Sequence, residues 1–303
     1  MTQQPTRRPP WVRYLLALLP LWLITSGSLA LWYYFHQEKQ KALVEEQRFT
    51  QAVSTPLLED DLRKIIDVIG DRNLSSATAA ANLSRTASMI EGLLGPSNSG
   101  YTVLKTASPK SWPILQVSLA GRNSQDPAVW VATSYDSRPN SRGAEANATG
   151  LAATLAAAQA LAGDKPKRPI HFIFLPHAND LESPVTETAA KLADLAQSSQ
   201  TPATVLCVEA MGSGQALWIN SNDASATPLN HLQGLGTAYG PEPARVSDSG
   251  LSARLFKMHL PAVRVATRAP LAPDENDDQM PFAPTVAAAS GRLIELIRRC
   301  SAN

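Results

Sequence analysis

The stretch that most limits what this chain can become covers residues 129–162, VWVATSYDSRPNSRGAEANATGLAATLAAAQALA. Its first five residues, 129–133, are apolar, β-branched and aromatic, the composition of a strand buried on both faces. Residues 149–161 are almost all Ala and Leu, with Thr149 placed to cap the amino end and Gly163 just past the last turn. A buried strand that feeds a buried helix is the unit from which parallel sheets are made. The loop between them holds Ser134, Asp136, Arg138, Arg142, Glu145 and Asn147. The carboxyl end of a sheet strand is where open α/β sheets place ligands.

The neighbouring segments extend this unit. Residues 169–175, 204–208, 216–219 and 262–266 read as strands, and 185–196, 229–239, 252–258 and 285–299 as helices. Two earlier runs, 101–106 and 114–120, read as antiparallel lead-in strands. Residues 57–69 and 74–94 show helical spacing of apolar side chains, stopped by Gly95 and Pro96. The expected fold class is α/β, a three-layer sandwich around a mostly parallel central sheet, preceded by one N-terminal transmembrane helix.

That helix is expected over residues 14–35, YLLALLPLWLITSGSLALWYYF, twenty-two residues without a charge, where a bilayer core needs about 20. Arg7, Arg8 and Arg13 precede it, and Trp11 and the run Trp32 to Phe35 stand where interfacial belts form. The expectation is a cytoplasmic tail at 1–13, an uncleaved anchor at 14–35, a helical linker region at 36–95 and the α/β domain at 96–303. This places the chain in the inner (cytoplasmic) membrane as a single-pass protein, its body on the periplasmic or extracellular side. Ser28-Leu29-Ala30 keeps a cleaved signal peptide as the alternative.

A net charge of +1, from 27 basic and 26 acidic residues, leaves no nucleic-acid footprint. The expected partners are the membrane, through the N-terminal helix, and a peptide or protein. Cys207 and Cys300 are too few for a disulfide framework and are expected as two buried thiols.

Several local strings, in order, resemble the zinc-dependent aminopeptidase family that includes bacterial leucyl aminopeptidases, glutaminyl cyclases and transferrin-receptor-like ectodomains. Ser134-Tyr135-Asp136-Ser137 is similar to the family's His-Tyr-Asp-Ser. Residues 143–150, GAEANATG, resemble its Gly-Ala-Asp-Asp-Asn-Ala-Ser-Gly loop. Residues 205–211 resemble the strand that carries an acidic ligand, and Ser247-Asp248 and Leu260-Pro261-Ala262-Val263 are similar to two later strings. The resemblance implies the zinc-exopeptidase fold and a site in which two zinc ions share a bridging carboxylate and water, while a Glu takes the proton.

Position by position, the implied ligands are missing. Ser134 stands for the first His, Ala146 for the bridging Asp, Ala178 and Asn179 for the Glu pair, and Pro273, beside Asp274, for the final His. Glu209 keeps an acidic ligand position, and Asp136 keeps the carboxylate that would orient the lost His. No cofactor and no metal are therefore expected, and no catalytic residue. Asp136, Arg138, Arg142, Asn147, His177, Glu209 and Asp248 remain as candidate ligand-binding residues.

The expected function is that of a pseudo-peptidase with a peptide-binding, protein-binding or scaffolding role. The alternative is an active metallo-aminopeptidase with displaced ligands, using zinc, or another hydrolase built on Ser134 and His177. The cluster Asp274 to Asp278 is expected as a solvated acidic turn.

Overall fold

The computed structural model describes residues 22–37, 53–107, 112–180, 182–198, 201–214, 216–221 and 250–302. The chain divides into a unit at Met1–Arg48 and a compact unit at Phe49–Asn303. In the first, residues 22–37 form helix α1, with Trp22, Leu23, Ile24, Leu29, Leu31 and Trp32 exposed. Among the described residues no helix is long and apolar enough to cross a membrane. Residues 14–21 of the expected span lie outside the described residues.

The compact unit is built on β3 (Val129–Ser134), every residue of which is buried. It pairs in parallel with β4 (Ile170–Leu175) on one side, Val129 opposite Ile170, and with β5 (Thr204–Val208) on the other, Val129 opposite Thr204. Strand β7 (Ala262–Ala266) continues the parallel centre beyond β5. Three antiparallel strands complete the sheet: β2 (Ile114–Leu119) on β4, β1 (Leu104–Thr106) on β2, and β6 (Trp218–Ser221) on β7. The order is β1-β2-β4-β3-β5-β7-β6. The sheet is mixed, with its parallel strands at the centre and antiparallel strands at both margins.

Alternation along each strand sends side chains to two separate cores. Val129, Val131, Phe172, Phe174, Leu206 and Val263 join α2 (Thr55–Arg63), α3 (Ala77–Leu94), α4 (Thr149–Ala160) and α7 (Ala283–Ala302). Trp130, Ala132, Ile173, Leu175 and Val205 join α5 (Glu182–Ser198) and α6 (Leu251–Lys257). Helices on both faces of a sheet make three layers, as the sequence predicts.

Two boundaries differ from expectation. The helices of the expected linker region are part of the compact unit: α2, which runs on as a π-helix over Lys64–Ile69, buries Leu58, Leu62, Ile65 and Ile66 in the first core. Leu57, assigned by its spacing to the apolar face, points out at 69% exposure. Thr149 does not cap α4, because a π-helical turn at Ala144–Ala148 precedes it. The Thr149 hydroxyl instead donates to the Glu145 carbonyl at 2.7 Å and accepts from the Met211 N–H at 2.8 Å. The expected helix at 229–239 lies outside the described residues. Cys207 is buried and Cys300 partly so; both are free, and burial raises both thiols, Cys300 to about 11.

Candidate ligand-binding cleft

At the carboxyl ends of β3, β4 and β5 a cleft of about 890 Å³ opens, lined in part by Ser134, Ala146, Ala178, Asn179, Glu209 and Pro273. These six residues come from five separate segments of sequence. The fold thus brings together every position at which the sequence resemblance expects a metal ligand.

Close packing sets this geometry. Gly150, in the first turn of α4, faces the Glu209 carbonyl so closely that a Cβ there would collide with it. Gly143, at φ 61°, supplies the left-handed turn into the π-helical segment. The amino end of that segment is capped from a distance by Asp277, whose Oδ1 accepts the N–H groups of Glu145 at 2.6 Å and Ala146 at 3.1 Å.

Asp277 is 3% exposed, which corrects the reading of residues 274–278 as a solvated turn. Burial raises its carboxyl above the usual range, while the Glu145 and Ala146 N–H groups and Arg138 pull it back. Glu145 is turned the other way, to the Gly212 N–H at 3.0 Å and the Ser213 hydroxyl at 2.8 Å, and burial raises it too.

The cleft floor is a network of neutral groups around one carboxylate. The Ser134 hydroxyl accepts from the side-chain amides of Asn147 at 2.9 Å and Asn179 at 3.0 Å. Below it, Asp136 is wholly buried. Its Oδ2 accepts three consecutive backbone N–H groups, from Ala178 at 2.8 Å, Asn179 at 2.7 Å and Asp180 at 2.9 Å. Burial pushes the Asp136 carboxyl up, and the Asn179 and Ala178 N–H groups and nearby His177 act against that. Asp136 therefore ties the end of β3 to the loop after β4.

The surviving acid at a ligand position, Glu209, is already paired. Arg264, in the middle of β7 and 2% exposed, donates from Nε to Glu209 Oε2 at 2.5 Å and from Nη1 to the Arg268 carbonyl at 2.8 Å. A guanidinium this deep is costly unless its N–H groups are matched, and here a carboxylate and a carbonyl match them. Zinc calls for several His, Cys or carboxylate donors around one point. Here the positions hold a hydroxyl, an amide, two methyl groups, a proline ring and one carboxylate bound to an arginine. Among the described residues no group of three or more His, Cys, Asp or Glu side chains is placed to hold a metal ion. The residues present do not fit zinc.

The other candidates separate. Arg138 lines the cleft, but its guanidinium donates to the Ala272 and Glu275 carbonyls at 2.7 and 2.9 Å, fastening the loop that carries Pro273. Arg142 is an exposed residue 3.2 Å from Asp67. His177 is buried, edge-on to Trp112 and 3.3 Å from Asp180 Oδ2, and among the described residues neither ring nitrogen has a hydrogen-bond partner. That arrangement provides no Ser-His pair for a nucleophilic hydrolase. Asp248 lies outside the described residues.

Sequence reasoning missed two buried arginines. Arg264 interrupts the apolar run Ala262 to Ala266, and a charge inside such a strand announces a buried counter-charge. Arg72, also fully buried, sits beneath the site loop and donates to the carbonyls of Tyr135, Ile65 and Gly70. Burial lowers it to about 10, against the pull of Asp136, Asp71 and Asp277. No pattern in the sequence around residue 72 signals that role.

Residues 115–244 match the family model described as Peptidase family M28. Among solved structures the fold is similar to LapB from Legionella pneumophila, with a TM-score of 0.68 and 12% identity over 85% of this chain and 75% of that one. It is similar to a Zn-dependent exopeptidase from Parabacteroides distasonis, with a TM-score of 0.60 and 14% identity over 81% and 98%. It is similar also to Acidobacteriales bacterium glutaminyl cyclase, with a TM-score of 0.60 and 16% identity over 82% and 95%. No curated protein matches the chain.

Proposed function

We propose, from the premise that the body of this chain is a Peptidase family M28 domain, that it has exchanged zinc hydrolysis for metal-free binding of a peptide or protein segment in the same cleft. The observation that carries this reading is the Arg264–Glu209 pair. Where a catalytic dication would need Glu209, a fixed internal cation neutralises it. The Ser134 hydroxyl accepts from the Asn147 and Asn179 amides, where a metal site would set ligands that repel one another without the ion. The retained cleft volume falls within the roughly 300–1,000 Å³ that ligand sites occupy, which supports a binding role over a passive spacer.

The same proposal includes the anchor. Residues 14–35 hold the body to the inner membrane on its outer side, supported by the uncharged run and the preceding arginines. Reporter fusions after Gln47 test this; activity on the cytoplasmic side overturns it.

The decisive experiment on catalysis incubates the purified full chain with excess zinc, removes the unbound ion, and measures metal content together with hydrolysis of amino-acyl chromogenic substrates. The expected result is substoichiometric zinc and no turnover. One or more zinc ions per chain with turnover overturns the reading.

A further inference from the structure

The cleft wall carries three arginines and three acids, Arg138, Arg254, Arg264, Asp180, Glu182 and Glu209. All of them are engaged within the protein. Arg264 holds Glu209. Arg254 holds Glu182 through both carboxylate oxygens, at 2.8 and 2.7 Å. Arg138 is spent on two carbonyls and lies 3.7 Å from Asp277. Asp180 accepts the Leu74 N–H at 2.9 Å and faces His177.

A charged ligand group entering this cleft would lose hydration without gaining a free counter-charge. An exopeptidase substrate presents such a group, its terminal ammonium. The walls between the ion pairs are apolar, from Val185, Leu251, Leu271 and Pro273.

We infer that the cleft takes an uncharged, apolar peptide segment, an internal or blocked stretch of chain and not a free amino terminus. Its side chains lie on Leu251 and Leu271, between wall charges that are already paired. This rests on the peptide-binding reading above and narrows it to a ligand class.

The test uses the purified full chain and two probes that differ only at the amino end, N-acetyl-leucyl-leucinamide and leucyl-leucinamide, titrated by calorimetry. The acetylated probe should bind at least about tenfold more tightly, a difference of about 1.4 kcal/mol. Leu271→Asp, which places an unpaired charge on the wall, should abolish its binding while thermal unfolding shows an intact fold. Tighter or equal binding of the free amine overturns the inference and leaves a peptide-binding cleft standing. Binding of the acetylated probe that Leu271→Asp does not weaken overturns it also, by placing the probe elsewhere. No binding of either probe up to millimolar concentration overturns both this inference and the peptide-binding reading.

Discussion

Replacing Arg264 by methionine separates a paired charge from a merely buried one. Methionine keeps an unbranched apolar stem within β7 but removes the guanidinium, so Glu209 loses its partner and the Arg268 carbonyl loses a donor. Breaking a buried ion pair from one side costs about 3–5 kcal/mol. The Glu209 side chain keeps 26% of its surface open, and water reaching it recovers part of that, leaving an expected loss of about 2–3 kcal/mol. For a body of this size the melting temperature should fall by about 4–12 °C. Adding Glu209→Gln removes the stranded charge, and the double variant should return to within about 1 kcal/mol of the original protein. Urea unfolding of the four proteins of this cycle, followed by tryptophan fluorescence, gives the coupling energy. A single Arg264→Met variant within about 0.5 kcal/mol of the original, or a double variant as unstable as the sum of the singles, refutes the pairing argument.

Asp61, partly buried, has its carboxyl raised to about 6, chiefly by burial. A folded-state value above the unfolded one means that the protonated form is favoured in the folded chain, so stability falls as pH rises from about 4 through 6. Asp61→Asn should therefore be more stable at pH 7, by about 1–2 kcal/mol after discounting for solvent access, and equal to the original near pH 3.5; urea titrations at both pH values check this. Asp277→Ala removes the distant cap of the π-helical turn and should cost about 1–2 kcal/mol, measured by the same titrations at pH 7. Gly150→Ala drives a methyl group against the Glu209 carbonyl and should cost about 1–3 kcal/mol, read as a fall in melting temperature.

The sheet and its helices were legible because each announces itself locally. Residues 129–133 and 204–208 are continuous apolar runs, and only burial on both faces explains such runs in an exported or cytoplasmic α/β body alike. The place of α2 and α3 was not legible, because an amphipathic helix has the same periodicity whether it covers its own domain or connects two others. The ligand positions could be located by resemblance, and the structure gathers all of them at one cleft. What fills the void between them depended on geometry. Nothing in the spacing of Ser134, Asn147 and Asn179 indicates that two amides converge on one hydroxyl. The acidic run at 274–278 misled for a related reason: composition describes the average exposure of such residues, whereas Asp277 is held inside by two backbone donors.

The floor of the cleft has a consequence for how this protein lives with its surroundings. A carboxylate-rich metal centre folds into its final shape only when the ion arrives, so the yield of mature enzyme follows the metal supply of the compartment. Ser134 is held by hydrogen bonds from Asn147 and Asn179, and Asp136 by three backbone N–H groups, with no ion needed for either. On the proposed reading, the amount of binding-competent protein is set by synthesis alone, and metal starvation that silences zinc peptidases would leave this chain at full strength.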